Sequence, residues 1–171
     1  MYYEGKVIYQ IYPKSFKDTN GDGIGDIKGI TEKLDYLQTL GIDMIWMCPI
    51  FASPQRDSGY DIKDYYSIDP IFGTMEDLEL LIAEAKKRNI YLMFDMVFNH
   101  TSTEHIWFQE ALKGNSKYKN YYFFKKGKNG NLPTNWDSKF GGKAWKYVPE
   151  FDEYYLHLYD EKQADLNWEN E

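Results

Sequence analysis

The chain has 171 residues, 43% of them hydrophobic: enough for one ordinary domain with its own core, and too apolar for a disordered segment. A formal charge of -7, with no basic face to neutralise phosphates, argues against nucleic acid as the main partner. Aromatics reach 18%, with 16 Tyr and 5 Trp, an excess suited to stacking on sugars or bases as well as to filling cores.

The first strand is expected at residues 7–12, ended by Pro13. A Gly/Asp loop follows, then a helix with Asp26 as N-cap, a buried stripe of Ile27, Ile30, Leu34, Leu37 and Leu40, and Gly41 at the C-terminal turn. The second strand is expected at 44–48, stopped by Pro49. Cys48 lies within it and reads as a small buried hydrophobe, neither disulfide partner nor nucleophile. After a polar loop over 52–69, Thr74 and Asp77 form a capping-box start. Leu78, Leu81, Ile82 and Ala85 supply the buried stripe of that helix, and Asn89 closes it. An apolar run over 90–98, broken by Asp95 and closing on Asn99-His100, reads as a third strand buried on both faces.

Strand, helix, strand, helix, strand is the grammar of a parallel sheet with crossover helices. The first strand leads into Pro13-Lys-Ser-Phe16 without a glycine fingerprint, which argues against a dinucleotide fold. The loops after the strands are long, as in a barrel that builds its site at the carboxyl ends of its strands. Beyond His100 the grammar stops. A short helix is expected within 101–113, then short strands and turns around Tyr121-Tyr-Phe-Phe124 and Tyr154-Tyr-Leu-His-Leu-Tyr159. The expected fold class is therefore α/β, with residues 1–100 as three βα units and 101–171 as a small inserted domain. A complete barrel takes about 250 residues, so the fold is expected to be unfinished at 171. The N-terminus lacks the charged-then-apolar order of a signal peptide, and no apolar run is of membrane-spanning length. A cytoplasmic protein with no membrane partner is the expectation.

Two loops carry chemistry. Asp18-Thr-Asn20-Gly-Asp22-Gly-Ile24-Gly-Asp26 places oxygen donors at alternate positions among glycines, as a hard cation requires. It begins like an EF-hand loop, but Gly29 stands where the closing Glu belongs. Calcium is favoured over magnesium because the donors are many. Asp57-Ser-Gly-Tyr60-Asp61 holds a carboxylate and a phenol on a glycine turn, and consecutive barrel strands would bring these to one rim with His100. None of them forms the paired acid and nucleophile of glycoside cleavage.

Together these motifs make the sequence resemble the α-amylase superfamily, glycoside hydrolase family 13, in its α-glucosidase branch. The residues that carry the resemblance are Val7-Ile-Tyr-Gln-Ile-Tyr-Pro13, Gly21-Asp-Gly-Ile-Gly-Asp26, Gly59-Tyr-Asp61, Asp95-Met-Val-Phe-Asn-His100 and Gln163-Ala-Asp-Leu-Asn-Trp168. The resemblance implies the N-terminal part of a (β/α)8 TIM barrel, its first three strands, with a domain B inserted after the third. It also implies retaining hydrolysis of a small-molecule α-glucoside. Asp57, Tyr60 and His100 would hold the glucose on the non-reducing side of the cleaved bond, with Asp95 supporting the rim. Phe140 would line the entrance and Gln163 would lie beside the site. Asp18, Asn20, Asp22, the Ile24 carbonyl and Asp26 would ligate a structural Ca2+, with Mg2+ as the alternative. The nucleophilic Asp, general-acid Glu and third Asp of the family lie on later strands, so no catalytic residue is expected within this chain, which alone would be inactive.

Within the branch stand oligo-1,6-glucosidases, sucrose isomerases and trehalose-6-phosphate hydrolases. Asn135-Trp-Asp-Ser-Lys-Phe-Gly-Gly142 and Gln163-Ala-Asp-Leu-Asn-Trp-Glu-Asn170 resemble the last of these most, and Ala164 stands where oligo-1,6-glucosidases usually carry proline. The competing non-enzyme reading is a catalytically inactive barrel relative that binds carbohydrate or calcium.

Overall fold

Short apolar stretches and the turns between them set the order of elements in the computed structural model, which describes residues 4–170. The first part of the chain runs β1 (Ile8–Ile11), α1 (Pro13–Phe16), α2 (Ile27–Glu32), α3 (Leu34–Thr39), β2 (Met44–Met47), β3 (Phe51–Ala52), β4 (Asp64–Ile68), α4 (Met75–Lys87) and β5 (Tyr91–Phe94). It continues through β6 (His100–Ser102), α5 (Ile106–Leu112), α6 (Ser116–Lys119), β7 (Phe124–Lys125), β8 (Trp145–Val148), β9 (Glu153–Leu156) and β10 (Gln163–Asp165). Two compact units emerge. One comprises the chain up to Ala52 together with Tyr65–Met96, the other Ser53–Asp64 together with Val97 onward. The loop Ser53–Asp64 thus groups with the later residues, whereas the sequence division at 100 leaves it with the strands. Its backbone bonds explain the grouping: Ser102 N–H donates to Ile62 O at 2.9 Å.

In the first unit β1, β2 and β5 form a parallel sheet in that order, with Ile8 opposite Met44 and Met44 opposite Tyr91. These are the first three strands of the expected barrel. The helices cover one face and bury Ile27, Ile30, Leu34, Leu37, Leu78, Leu81 and Ala85 against Ile11, Ile45 and Met47. Burial of each such side chain stabilises by about 1.5–3 kcal/mol relative to exposure. Cys48 is a free, buried thiol within this unit.

Helix α4 starts at the expected capping box. Thr74 Oγ1 accepts from Asp77 N–H and the Asp77 carboxylate accepts from Thr74 N–H. It ends at Asn89, whose φ of 56° is the left-handed turn that stops a helix. Four expectations need correction. The single helix expected after Asp26 is two, interrupted at Lys33 (φ -98°, ψ 2°), and Leu40 is exposed. Ile82 is 45% exposed and does not join the stripe. The strand expected over 90–98 pairs only as far as Phe94. Its partner β2 runs out before Pro49, and Asp95 N–H to Met47 O is the last rung.

In the second unit β7, β9 and β8 form an antiparallel sheet and β6 pairs antiparallel with β10. Phe108 of α5 is 2% exposed and meets Tyr122 and Tyr155 edge-on, each with centroids 5.0 Å apart. Such contacts add about 0.5–1.5 kcal/mol beyond burial. Among the described residues no helix is long and apolar enough to cross a membrane.

Candidate functional site

Asp61 organises the loop between β3 and β4. It is fully buried and accepts from Ser53 Oγ at 2.9 Å, Arg56 N–H at 3.0 Å and Asp57 N–H at 3.0 Å. Gln55, Ser58 and Gly59 have positive φ, so the chain turns tightly around this carboxylate. The turn presents Asp57, whose Oδ2 accepts from Gln163 Nε2 at 2.7 Å. Gln163, 1% exposed on β10, is fixed at its other end by Asp160 N–H at 2.9 Å.

The β6–β10 ladder places Asp165 opposite His100. His100 is buried, with Nε2 3.1 Å from Tyr60 O and Nδ1 3.1 Å from Asn99 Nδ2. The Tyr159 ring lies 5.4 Å from the imidazole and 5.7 Å from the Phe140 ring, which is 61% exposed. Asp57, Tyr60, His100, Phe140 and Gln163 therefore belong to one connected set of contacts within the second unit. Asp95 closes β5 in the first unit.

Burial lowers the His100 imidazole below its ordinary range, against the opposing pull of the Tyr60 carbonyl and the Asp57 and Asp61 carboxylates. Burial likewise lowers His105 and His157. Burial raises Asp165 to about 6, against the stabilising Leu158 amide and Asn99 side chain. The signs oppose. A lowered imidazole stabilises the fold above its unfolded value near 6.5, and that contribution is lost as pH falls through the folded value. Asp165, raised, contributes most below its unfolded value near 3.8, and its contribution is lost as pH rises through about 6. Between about pH 7 and pH 5 the two contributions therefore offset one another, the imidazoles favouring the upper end and Asp165 the lower. In Asp165→Asn the gain from that carboxyl is removed, so stability relative to wild type is expected to drop toward acid, by up to ~2–3 kcal/mol over the carboxyl's full titration. Urea midpoints at both ends of the range check this.

The other predicted loop lies in the first unit and satisfies itself. Asp18 accepts from the amides of Asn20, Gly21 and Gly23, Asn20 Oδ1 from that of Asp22, and Asp22 Oδ1 from that of Ile24. Asp26 is buried and committed to Thr19 and to the Gly29 amide that starts α2. The donors are the hard oxygens calcium takes, and the Gly23 and Gly21 amides hold the Asp18 carboxyl below its usual range. Among the described residues, no group of three or more Asp, Glu, His or Cys side chains is arranged to hold a metal ion.

The family described as "Alpha amylase, catalytic domain" matches residues 10–171. The chain belongs to the alpha-amylase family. Trehalose-6-phosphate hydrolase of Bacillus subtilis (strain 168) is 60% identical over 167 residues, which cover 96% of this chain and 30% of that protein. Oligo-1,6-glucosidase of Bacillus cereus is 55% identical, over 99% of this chain and 31% of that protein. The crystal structure of Bacillus licheniformis trehalose-6-phosphate hydrolase superposes with a TM-score of 0.97 at 59% identity, covering 99% of this chain and 31% of that one. The chain thus spans just under a third of the length of these relatives of the alpha-amylase family.

Sequence reasoning passed over Asn99, Tyr159 and Asp160 as site residues and gave no structural role to Asp61 and Asp165. Asp61 and Asp165 did stand inside quoted motifs. Tyr159 is one tyrosine among 16, with nothing local to mark it.

Proposed function

We propose that the protein carrying this chain hydrolyses α-glucosides with retention and that its substrate is trehalose 6-phosphate, cleaved to glucose and glucose 6-phosphate. One observation carries the reading: the Asp57–Gln163 pair, the buried His100 and the Phe140–Tyr159 rings converge in a single unit of an alpha-amylase chain. Asp57 supplies a charged acceptor for sugar hydroxyls, His100 and Tyr60 shape the ring's enclosure, and Phe140 offers an apolar face to the entrance. The acid that protonates the leaving oxygen and the carboxylate that forms the glycosyl-enzyme ester come from outside these residues. Identities of 60% and 53% to trehalose-6-phosphate hydrolases favour the phosphorylated substrate. The alternatives are oligo-1,6-glucosidase action, supported by identities of 55% and 56%, and sucrose isomerisation. A cytoplasmic location goes with the proposal, because a phosphorylated disaccharide does not cross a membrane unaided.

The deciding assay compares kcat/KM of the intact protein on trehalose 6-phosphate, isomaltose and sucrose. Higher kcat/KM on trehalose 6-phosphate, with glucose and glucose 6-phosphate as products, is expected, and higher kcat/KM on isomaltose would transfer the reading to the alternative. The 171-residue chain alone is expected to leave aryl α-glucosides uncut.

The Asp18 loop is the proposed seat of a structural calcium ion, held by Asp18, Asn20, Asp22, the Ile24 carbonyl and Asp26, with magnesium as the weaker occupant. Calcium at a hundredfold excess over its dissociation constant is expected to stabilise the fold by about 2.7 kcal/mol. The Tm rise should vanish in Asp22→Ala. An unchanged melting curve with and without chelator would remove the metal from the proposal.

A further inference from the structure

The neighbours of His100 define its protonation state. Asn99 Nδ2 lies 2.5 Å from Asp165 Oδ1 and 3.1 Å from His100 Nδ1. The carboxylate only accepts, so it is the amide's NH2 edge that faces it. The second hydrogen of that NH2 points to Nδ1, which must present its lone pair. On the far side of the ring, Nε2 sits 3.1 Å from the Tyr60 carbonyl, also an acceptor, so Nε2 must carry the hydrogen. The other Asp165 oxygen accepts the Leu158 N–H, which stops the carboxylate from turning away. Leu158 in turn precedes Tyr159, whose ring flanks the imidazole.

We infer that Asn99 and Asp165 are positioning residues that lock the His100 ring in the neutral tautomer protonated at Nε2. The charged groups around the ring make the lock necessary. Asp57 and Asp61 act on it from the loop and favour an imidazolium. Asp165 lies behind Asn99 on β10. Burial opposes the second proton, and Asn99 offers Nδ1 a donor where an acceptor would admit that proton. For the enzyme the consequence is a fixed N–H at the site, ready to be shared with a sugar oxygen. That consequence rests on the proposed function, whereas the tautomer does not.

The test is 15N NMR of histidine-labelled intact protein, with the His100 signals assigned by their loss in His100→Gln. At neutral pH the wild type is expected to show Nε2–H alone, and a ring protonated at Nδ1 or at both nitrogens would overturn the inference. The exchange Asn99→Asp with Asp165→Asn keeps each bond but reverses the polarity at Nδ1. An amide at 165 still accepts from Leu158 and donates to position 99, and the carboxylate at 99 now draws a proton onto the ring. The His100 pKa is expected to rise by about 1–3 pH units, with the melting temperature nearly unchanged. An unmoved ring in a folded variant would overturn the inference. Should the exchange fail to fold, Asn99→Ala serves. It should release the ring into a mixture of tautomers, and a ring still held at Nε2–H would show that Asn99 does no locking. These readouts need no turnover, so an inactive protein with the expected tautomer would sink only the glucosidase reading.

Discussion

Asp61→Ala is expected to destabilise the protein by about 3–5 kcal/mol, because it leaves donors inside the fold without their acceptor. The carboxylate is fully buried and takes the Ser53 hydroxyl and the amides of Arg56 and Asp57. The buried Ser53 hydroxyl left unpaired costs about 1–3 kcal/mol, the part-buried amide bonds of Arg56 and Asp57 add smaller amounts, and the small cavity left by the deleted carboxylate adds to it. Asp61→Asn keeps the shape and one accepting oxygen, so it should cost less than the alanine change. The effect also reaches function: one of the three donors is the amide of Asp57, so losing the anchor lets that side chain wander from Gln163. Urea unfolding of the two variants measures the first effect. An alanine cost below about 1 kcal/mol would mean that water or a rearranged turn replaces the carboxylate.

The sequence disclosed what depends on short-range pattern and hid what depends on distant partners. The three parallel strands, the capping box at Thr74 and the turn at Asn89 were legible because apolar runs, a Thr-x-x-Asp spacing and a left-handed Asn act locally. The strand over 90–98 was overextended because its length is set by its neighbour. The apolar run continues to Phe98, but β2 ends before Pro49 and pairing ends with it. Ile82 fits the helical spacing of the stripe and yet is exposed, since spacing cannot say how wide a face the neighbouring sheet covers. The site divides in the same way. Asp57, Tyr60 and His100 were visible as polar groups after strands. The Gln163 bond to Asp57 spans 106 residues and no local signal predicts it, although the motif containing Gln163 was noticed. Asn99 had been read as the end of a strand, whereas its amide joins His100 to Asp165.

Asp57→Ala is expected to lower kcat/KM by about 10²–10³-fold, the usual cost of losing one preorganised charged or polar contact that strengthens in the transition state. In the proposed reaction the oxocarbenium-like transition state would put positive charge on the sugar ring, and the half-buried Asp57 carboxylate would favour that state more than the ground state. The loss should therefore fall mainly on kcat, and a change confined to KM would assign Asp57 to ground-state binding only. A structural cost accompanies it: Gln163 Nε2, on a side chain 1% exposed, loses its acceptor, which costs about 1–3 kcal/mol. Asp57→Asn separates the two effects. It retains an oxygen for Gln163, so the melting temperature should stay near wild type while the charge, and with it much of the rate, is lost. If both variants keep kcat/KM within about threefold of wild type, this carboxylate is only the anchor for Gln163, and the glucose contact must be sought elsewhere around His100.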